Sequence, residues 1–415
     1  MKKRDMSRRS ALGGAAAVVA APAIFGIRSA LAQTGGTIRF GGSLGMTGRY
    51  AETGLNIRHG YETAIKFINE QKGGVEIGGR KYRLELGIVD DASDPARATT
   101  LIQRQVDENV SFFLGSYGSN VVLPCAGITE AAGKLTVQVG ASADQIFQQG
   151  YRNIFGFFPR ASRAWVTSIE FFKSLAPKPR TVAIIATNDA FSKLNAQAAA
   201  AGCKGIGLEV LDLIQLPEQV SDASSALATI RAKTPDILIT TTVDQNSLVI
   251  VRQMIATDTN VPLLYQFLGP QLPMYRETLG AKATGVIMQL PWDARLDFKD
   301  PIFGSTKAYI DFYNKTNTRP LSYHTVGASA CITTYVEAMK AAGGLDPAKV
   351  RNALAATNIT TAFGPVKFSP EGDGDAVVMG AKIGQVQNGE VQVVFPADLK
   401  TANVIYPTPA WAKKS

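Results

Sequence analysis

Between Val110 and Phe267 the chain alternates short apolar runs with helix-length stretches, and no other feature limits the fold as strongly. Val110–Leu114 and Leu135–Val139 predict strands, and 153–158 is strand-like. Helix 161–175, strand 181–186, helix 190–201 and strand 208–214 follow, then helix 221–233, strand 236–241, helix 245–257 and strand 262–267. Strands separated by helices of about a dozen residues imply parallel sheets covered on both faces, an α/β fold. Upstream, Thr37–Leu44 predicts the first strand. Ile57, Tyr61, Ala64, Ile65 and Ile68 then recur at helical spacing, and Lys81–Val89 alternates like a half-buried strand. Downstream come strand Val286–Leu290 and helices 301–316 and 325–342. Beyond Gly364 the texture changes to short strands, with a pair near 377–395 and a loose tail at 406–415.

The amino terminus has a different character. Lys2, Lys3, Arg4, Arg8 and Arg9 precede the small-residue apolar run Ala11–Ile27, and Ala30-Leu31-Ala32 supplies an A-x-A cleavage site. Residues 1–32 are therefore expected to be a removed export signal, cleaved after Ala32. Ser7-Arg8-Arg9 with Leu12 resembles a twin-arginine signal, although Ala11 departs from that pattern. The segment holds six basic residues and one acid, so its removal brings the net charge from +9 to +4. Most of the basicity is targeting signal and gives no argument for nucleic acid. The remaining length predicts two domains. Cys125, Cys203 and Cys331 are far apart and odd in number, and with only His59 and His324 no metal-ligand cluster is expected.

Two turns carry the chemistry. Gly115, Ser116, Tyr117, Gly118, Ser119 and Asn120 join the strand at 110–114 to a helix beginning near Val121. Gly140, Ala141, Ser142, Ala143 and Asp144 leave the next strand in the same way. Small hydroxyl-bearing residues at a helix amino end, beside unpaired N–H groups and the positive end of the dipole, make a seat for an anion. Two such turns on neighbouring parallel strands can face one carboxylate; the plainer alternative is that both are helix caps.

Other strings fail as motifs. Gly42, Gly45 and Gly48 have GxxGxxG spacing, not GxGxxG. Gly127–Leu135 has one residue too many for a phosphate loop and Leu where Ser/Thr must hold magnesium. Asp90, Asp91 and Asp94 fit a capping turn better than a metal site. Neither His sits in a recognisable catalytic setting. An enzyme is not expected.

INEQKGGVEIGG, VDDASDP, GSYGSN with Pro124 behind it, VQVGASAD and GPVKFSPEGD keep an order and spacing that resemble the solute-binding proteins of ABC importers, of the leucine/isoleucine/valine-binding type. The resemblance covers nearly all of the chain after the signal. It implies a type I periplasmic binding fold, two doubly wound parallel-sheet lobes joined by three crossovers near 157–160, 289–293 and 364–367. One lobe would be 34–158 with 290–364, the other 159–289 with 365–405. It also implies that Ser119, Gly140 and Ser142 hold the ligand's carboxylate and that Thr53 is a first-loop contact. Tyr50 and Tyr117 would cover an apolar side chain, with Phe191 as the aromatic of the second lobe. The family's disulfide positions are Ser93 and Gly118 here, so that bridge is absent. Gln271 stands at or near the acid that holds the ligand's ammonium, a role Asp244 or Asp189 could take.

The expectation is an exported, periplasmic, monomeric binding protein without cofactor. It would pass a small carboxylate, either an aliphatic amino acid or an acid without an amine, to a membrane ABC permease. A sensor module that reports to a membrane receptor or kinase is the rival.

Overall fold

A computed structural model describes residues 33–414, apart from the side chains of Gln33, Thr34 and Asp244. The export signal expected at residues 1–32 lies outside the described residues.

Two sheets organise the chain. The first carries Val75–Ile77, Arg80–Asp90, Gln33–Leu44, Phe112–Leu114, Leu135–Gln138 and Ile154–Gly156 in that order, all parallel except the first. The second runs Glu390–Phe395, Lys382–Gln387, Ile287–Leu290, Leu263–Gln266, Ile237–Thr241, Thr181–Thr187 and Glu209–Leu216. Its last five strands are parallel, and the late pair is an antiparallel hairpin on one side. The chain passes between the sheets three times: after Gly156, after Leu290 and after the strand Gly364–Lys367.

In each sheet the strand order reverses once. The first sheet's second long strand lies on one side of Gln33–Leu44 and Phe112–Leu114 on the other. In the second sheet Glu209–Leu216 and Ile237–Thr241 flank Thr181–Thr187. Loops leaving the strands on either side of such a reversal diverge and leave a crevice at their carboxyl ends.

Helices cover the sheets. Tyr323–Ala342 is apolar nearly all round, and the Tyr335 hydroxyl donates to the carbonyls of Phe113 and Leu135 at 3.0 and 2.9 Å. That pins the helix across two strands of the first sheet. Some differences from expectation lie at the ends of elements. The expected helix 161–175 is a short turn, Ala161–Arg163, followed by Val166–Ser174, and 301–316 begins only at Thr306 after a two-strand turn. Helices Pro273–Leu279 and Pro347–Ala355 were not anticipated, although each has Pro in its first turn.

The tail corrects its expectation. Trp411 is buried, its indole N–H donates to the Thr259 carbonyl at 2.6 Å, and Lys282 Nζ donates to the carbonyls of Trp411 and Lys414. A large aromatic whose N–H finds a carbonyl gives the terminus an anchor.

Candidate functional site

A cavity of about 340 Å³ opens where the two reversal points face each other. From the first sheet its wall takes Tyr50, the 117–120 turn and the 140–142 turn; from the second, Asp189, Phe191, Val243, Phe267 and Leu268. Phe158, Arg163, Gln289, Tyr323, His324 and the 376–381 loop complete it.

The two turns meet closely. Gly118 N–H donates to the Gly140 carbonyl at 3.0 Å, and Ser119 Oγ accepts from Ala143 N–H at 3.1 Å. Gly118, with φ of 91°, caps the helix Ser119–Ala131, whose amino end faces the cavity. Ser119 and Ser142 are both buried on this wall. The amides of Gly140 and Ala141, however, both donate to Gln138 Oε1 at 2.8 Å. These residues shape the wall, and their N–H groups are already in use. The buried Gln138 satisfies a loop that leaves its strand too sharply to bond within the sheet.

Asn120 is likewise engaged. Its Oδ1 accepts from the Tyr50 hydroxyl at 3.0 Å and its Nδ2 donates to Glu218 at 3.2 Å. Glu218 also pairs with Arg49 at 2.7 Å, a bridge between the first sheet's loops and the second's. Tyr50 packs edge-on against Tyr117 with centroids 5.2 Å apart, and burial pushes its hydroxyl up to about 12. It stays a neutral wall residue. Phe191 lies on the opposite side, 5.7 Å from Phe267.

Of three further expected positions, Asp189 and Gln271 line the cavity and Thr53 does not. Thr53 is buried in the first turn of Ala51–Lys66 and does not line the cavity; Gly54 there sits against the Gly45 carbonyl. Asp189 lines the wall but caps the helix Ala190–Gly205, accepting from Ser192 N–H at 2.9 Å and the Thr187 hydroxyl at 2.7 Å. Gln271 also lines it, with its amide nitrogen donating to the carbonyls of Phe267 and Gln289 at 2.7 and 2.6 Å. What it leaves over is a buried Oε1 with no partner among the described residues. The side chain of Asp244 lies outside the described residues.

Sequence reasoning missed Arg163 and His324. Arg163 is the one cation among the described lining residues; Glu371 is held below the usual carboxylate range chiefly by the Ser369 hydroxyl and a backbone N–H, against desolvation, with Arg160 and Arg163 adding smaller attractions. His324 follows the cap Ser322 at the start of Tyr323–Ala342 and is 2 % exposed. Its signal was its rarity, one of two histidines, and no local pattern marked it. Asp90 and Asp91 serve neighbouring loops instead. Asp91 accepts from the hydroxyls of Ser43 and Ser116, both at 2.8 Å, and burial raises it above the usual range despite those bonds.

A family model described as periplasmic binding protein matches residues 37–390. Among curated proteins, the leucine-, isoleucine-, valine-, threonine- and alanine-binding protein of Pseudomonas aeruginosa is 26 % identical over 357 residues, 85 % of this chain and 91 % of that protein. Among solved structures, a leucine-binding protein of Thermotoga maritima aligns with a TM-score of 0.76 at 18 % identity, covering 87 % of this chain and 100 % of the other. The solute-binding protein of an ABC transporter from R. palustris, in complex with benzoate, aligns at 0.73 and 20 %, covering 91 % and 99 %.

Proposed function

Since this chain belongs to the periplasmic binding protein family, we propose that it captures a small carboxylate-bearing solute in the periplasm and delivers it to a membrane ABC permease. The importer reading is favoured over the sensor because the relatives are named as amino-acid-binding and ABC transporter proteins. In this reading the lobes are 34–158 with 290–364 and 159–289 with 365–405, and they close on the ligand as a monomer.

One observation carries the proposal. The cavity has the helix end, Ser119 and Ser142 on one side and the apolar Phe191, Phe267 and Leu268 on the other. Such a cleft suits a molecule with an acid at one end and an apolar body. Ser119 and Ser142 donate to the carboxylate, and Arg163 supplies the charge that offsets its desolvation. Tyr50, Tyr117 and Phe191 enclose the body. The apolar body fits a branched aliphatic side chain or an aromatic ring, the two kinds of ligand named in the relatives.

Titration calorimetry on refolded protein tests this with leucine, isoleucine, valine and benzoate. At least one should bind, and Ser119→Ala with Ser142→Ala together should weaken it by about ten- to a hundred-fold, the range expected for lost bonds to a charged group. Unchanged affinity in the double variant would remove the carboxylate seat from these turns.

A further inference from the structure

His324 is on the cavity wall, in the first turn of the helix Tyr323–Ala342. It is almost fully buried, yet its Nδ1 has no hydrogen-bond partner among the described residues. The ring is held among Tyr323, Tyr117 and Phe158, with centroids 4.0, 5.3 and 6.3 Å away. Buried polar side chains in native proteins are hydrogen-bonded in the large majority of cases. One left unpartnered on the wall of a binding cavity points to a partner that arrives with the ligand.

The surroundings select that partner. The three ring neighbours are uncharged aromatics, and burial holds the imidazole neutral, down to about 3. A second carboxylate or an ammonium placed there would lose its water with only a neutral ring in exchange. A hydroxyl both donates and accepts, so it matches the one N–H and one lone pair of a neutral imidazole in either tautomer. Resting on the function proposed above, we propose that His324 is a specificity-determining contact that hydrogen-bonds a hydroxyl on the ligand's apolar body. The preferred solute is then a hydroxylated small carboxylic acid. A site built to bond a hydroxyl discriminates strongly against the analogue that lacks it, because its own polar group is then stranded.

Calorimetry with benzoate and its three monohydroxy isomers tests the proposal. At least one isomer should bind about ten-fold or more tighter than benzoate, the weaker end of what such sites achieve. His324→Phe should abolish that preference, so that within the variant the favoured isomer binds no tighter than benzoate. Equal binding of all four acids, or a preference that survives His324→Phe, overturns the role of His324 while the importer reading stands. If no acid and no branched-chain amino acid binds, both readings fall together. Should His324→Phe fail to fold, nitrogen NMR of the intact protein decides. The His324 ring resonances, separated from those of His59, should move with the preferred isomer and stay in place with benzoate; no movement with either overturns the proposal.

Discussion

At Gly140 an added Cβ would stand 2.1 Å from the Ser116 carbonyl oxygen, so the two turns can approach only because this residue has no side chain. Single residues elsewhere in the cavity are fixed just as specifically. Gln271 ties two strand ends through its nitrogen, and that bonding, invisible in sequence, explains an amide at this position. His324 carries a consequence for stability. Its folded value of about 3 lies below the unfolded 6.5, and desolvation is the cause. A group depressed on folding contributes stability that is present above pH 6.5 and lost as pH falls toward 3, because the unfolded chain then binds the extra proton. Each pH unit in that window costs about 1.4 kcal/mol. Urea unfolding without ligand should therefore show the native chain losing about 3 kcal/mol more than His324→Gln between pH 6.5 and 4. Parallel curves would mean that the imidazole is hydrated in the folded protein.

Among the elements, the carboxyl-terminal turn Trp411–Lys413 behaves as part of the second sheet's packing. Trp411 donates twice, from its backbone N–H to Asn260 Oδ1 at 2.8 Å and from its indole to Thr259, with Lys414 Nζ 3.8 Å above its ring. Replacing a buried Trp with Ala costs about 3–5 kcal/mol in a core, through lost burial and the cavity left behind. Trp411→Ala should lower the urea-unfolding free energy by about 3 kcal/mol. A loss below about 1 kcal/mol, the scale of a surface change, would return the segment to the status of a loose tail. The turn's sequence, rich in Pro and Lys, concealed this because a single aromatic sets no periodicity.

Across the molecule, the Arg49–Glu218–Asn120 bridge joins loops of the two sheets beside the wall residue Asn120. Its side chains are partly exposed, so it contributes about 1 kcal/mol or less. In the closure proposed above, such a contact tunes the motion and does not drive it. Glu218→Ala should speed ligand release by up to about five-fold at low salt and less at high salt, read by stopped-flow fluorescence. An unchanged release rate at every salt concentration would show that the bridge plays no part in holding the loops of the two sheets together.

The alternation of strands and helices and the two glycine- and serine-rich turns were legible in the chain. Periodicity and turn chemistry are local properties, and they determined the α/β class and the two turns now found on the cavity wall, whereas Tyr50, Phe191, Asp189 and Gln271 were reached through the family resemblance. Tertiary structure alone decided how those positions are used. Whether Gly140 N–H is available, whether Asp189 or Gln271 has a free polar atom, and whether His324 has a partner all depend on atoms far away in sequence. Hydrogen-bond satisfaction and desolvation are set by everything that surrounds a group, and no run of neighbouring residues encodes them.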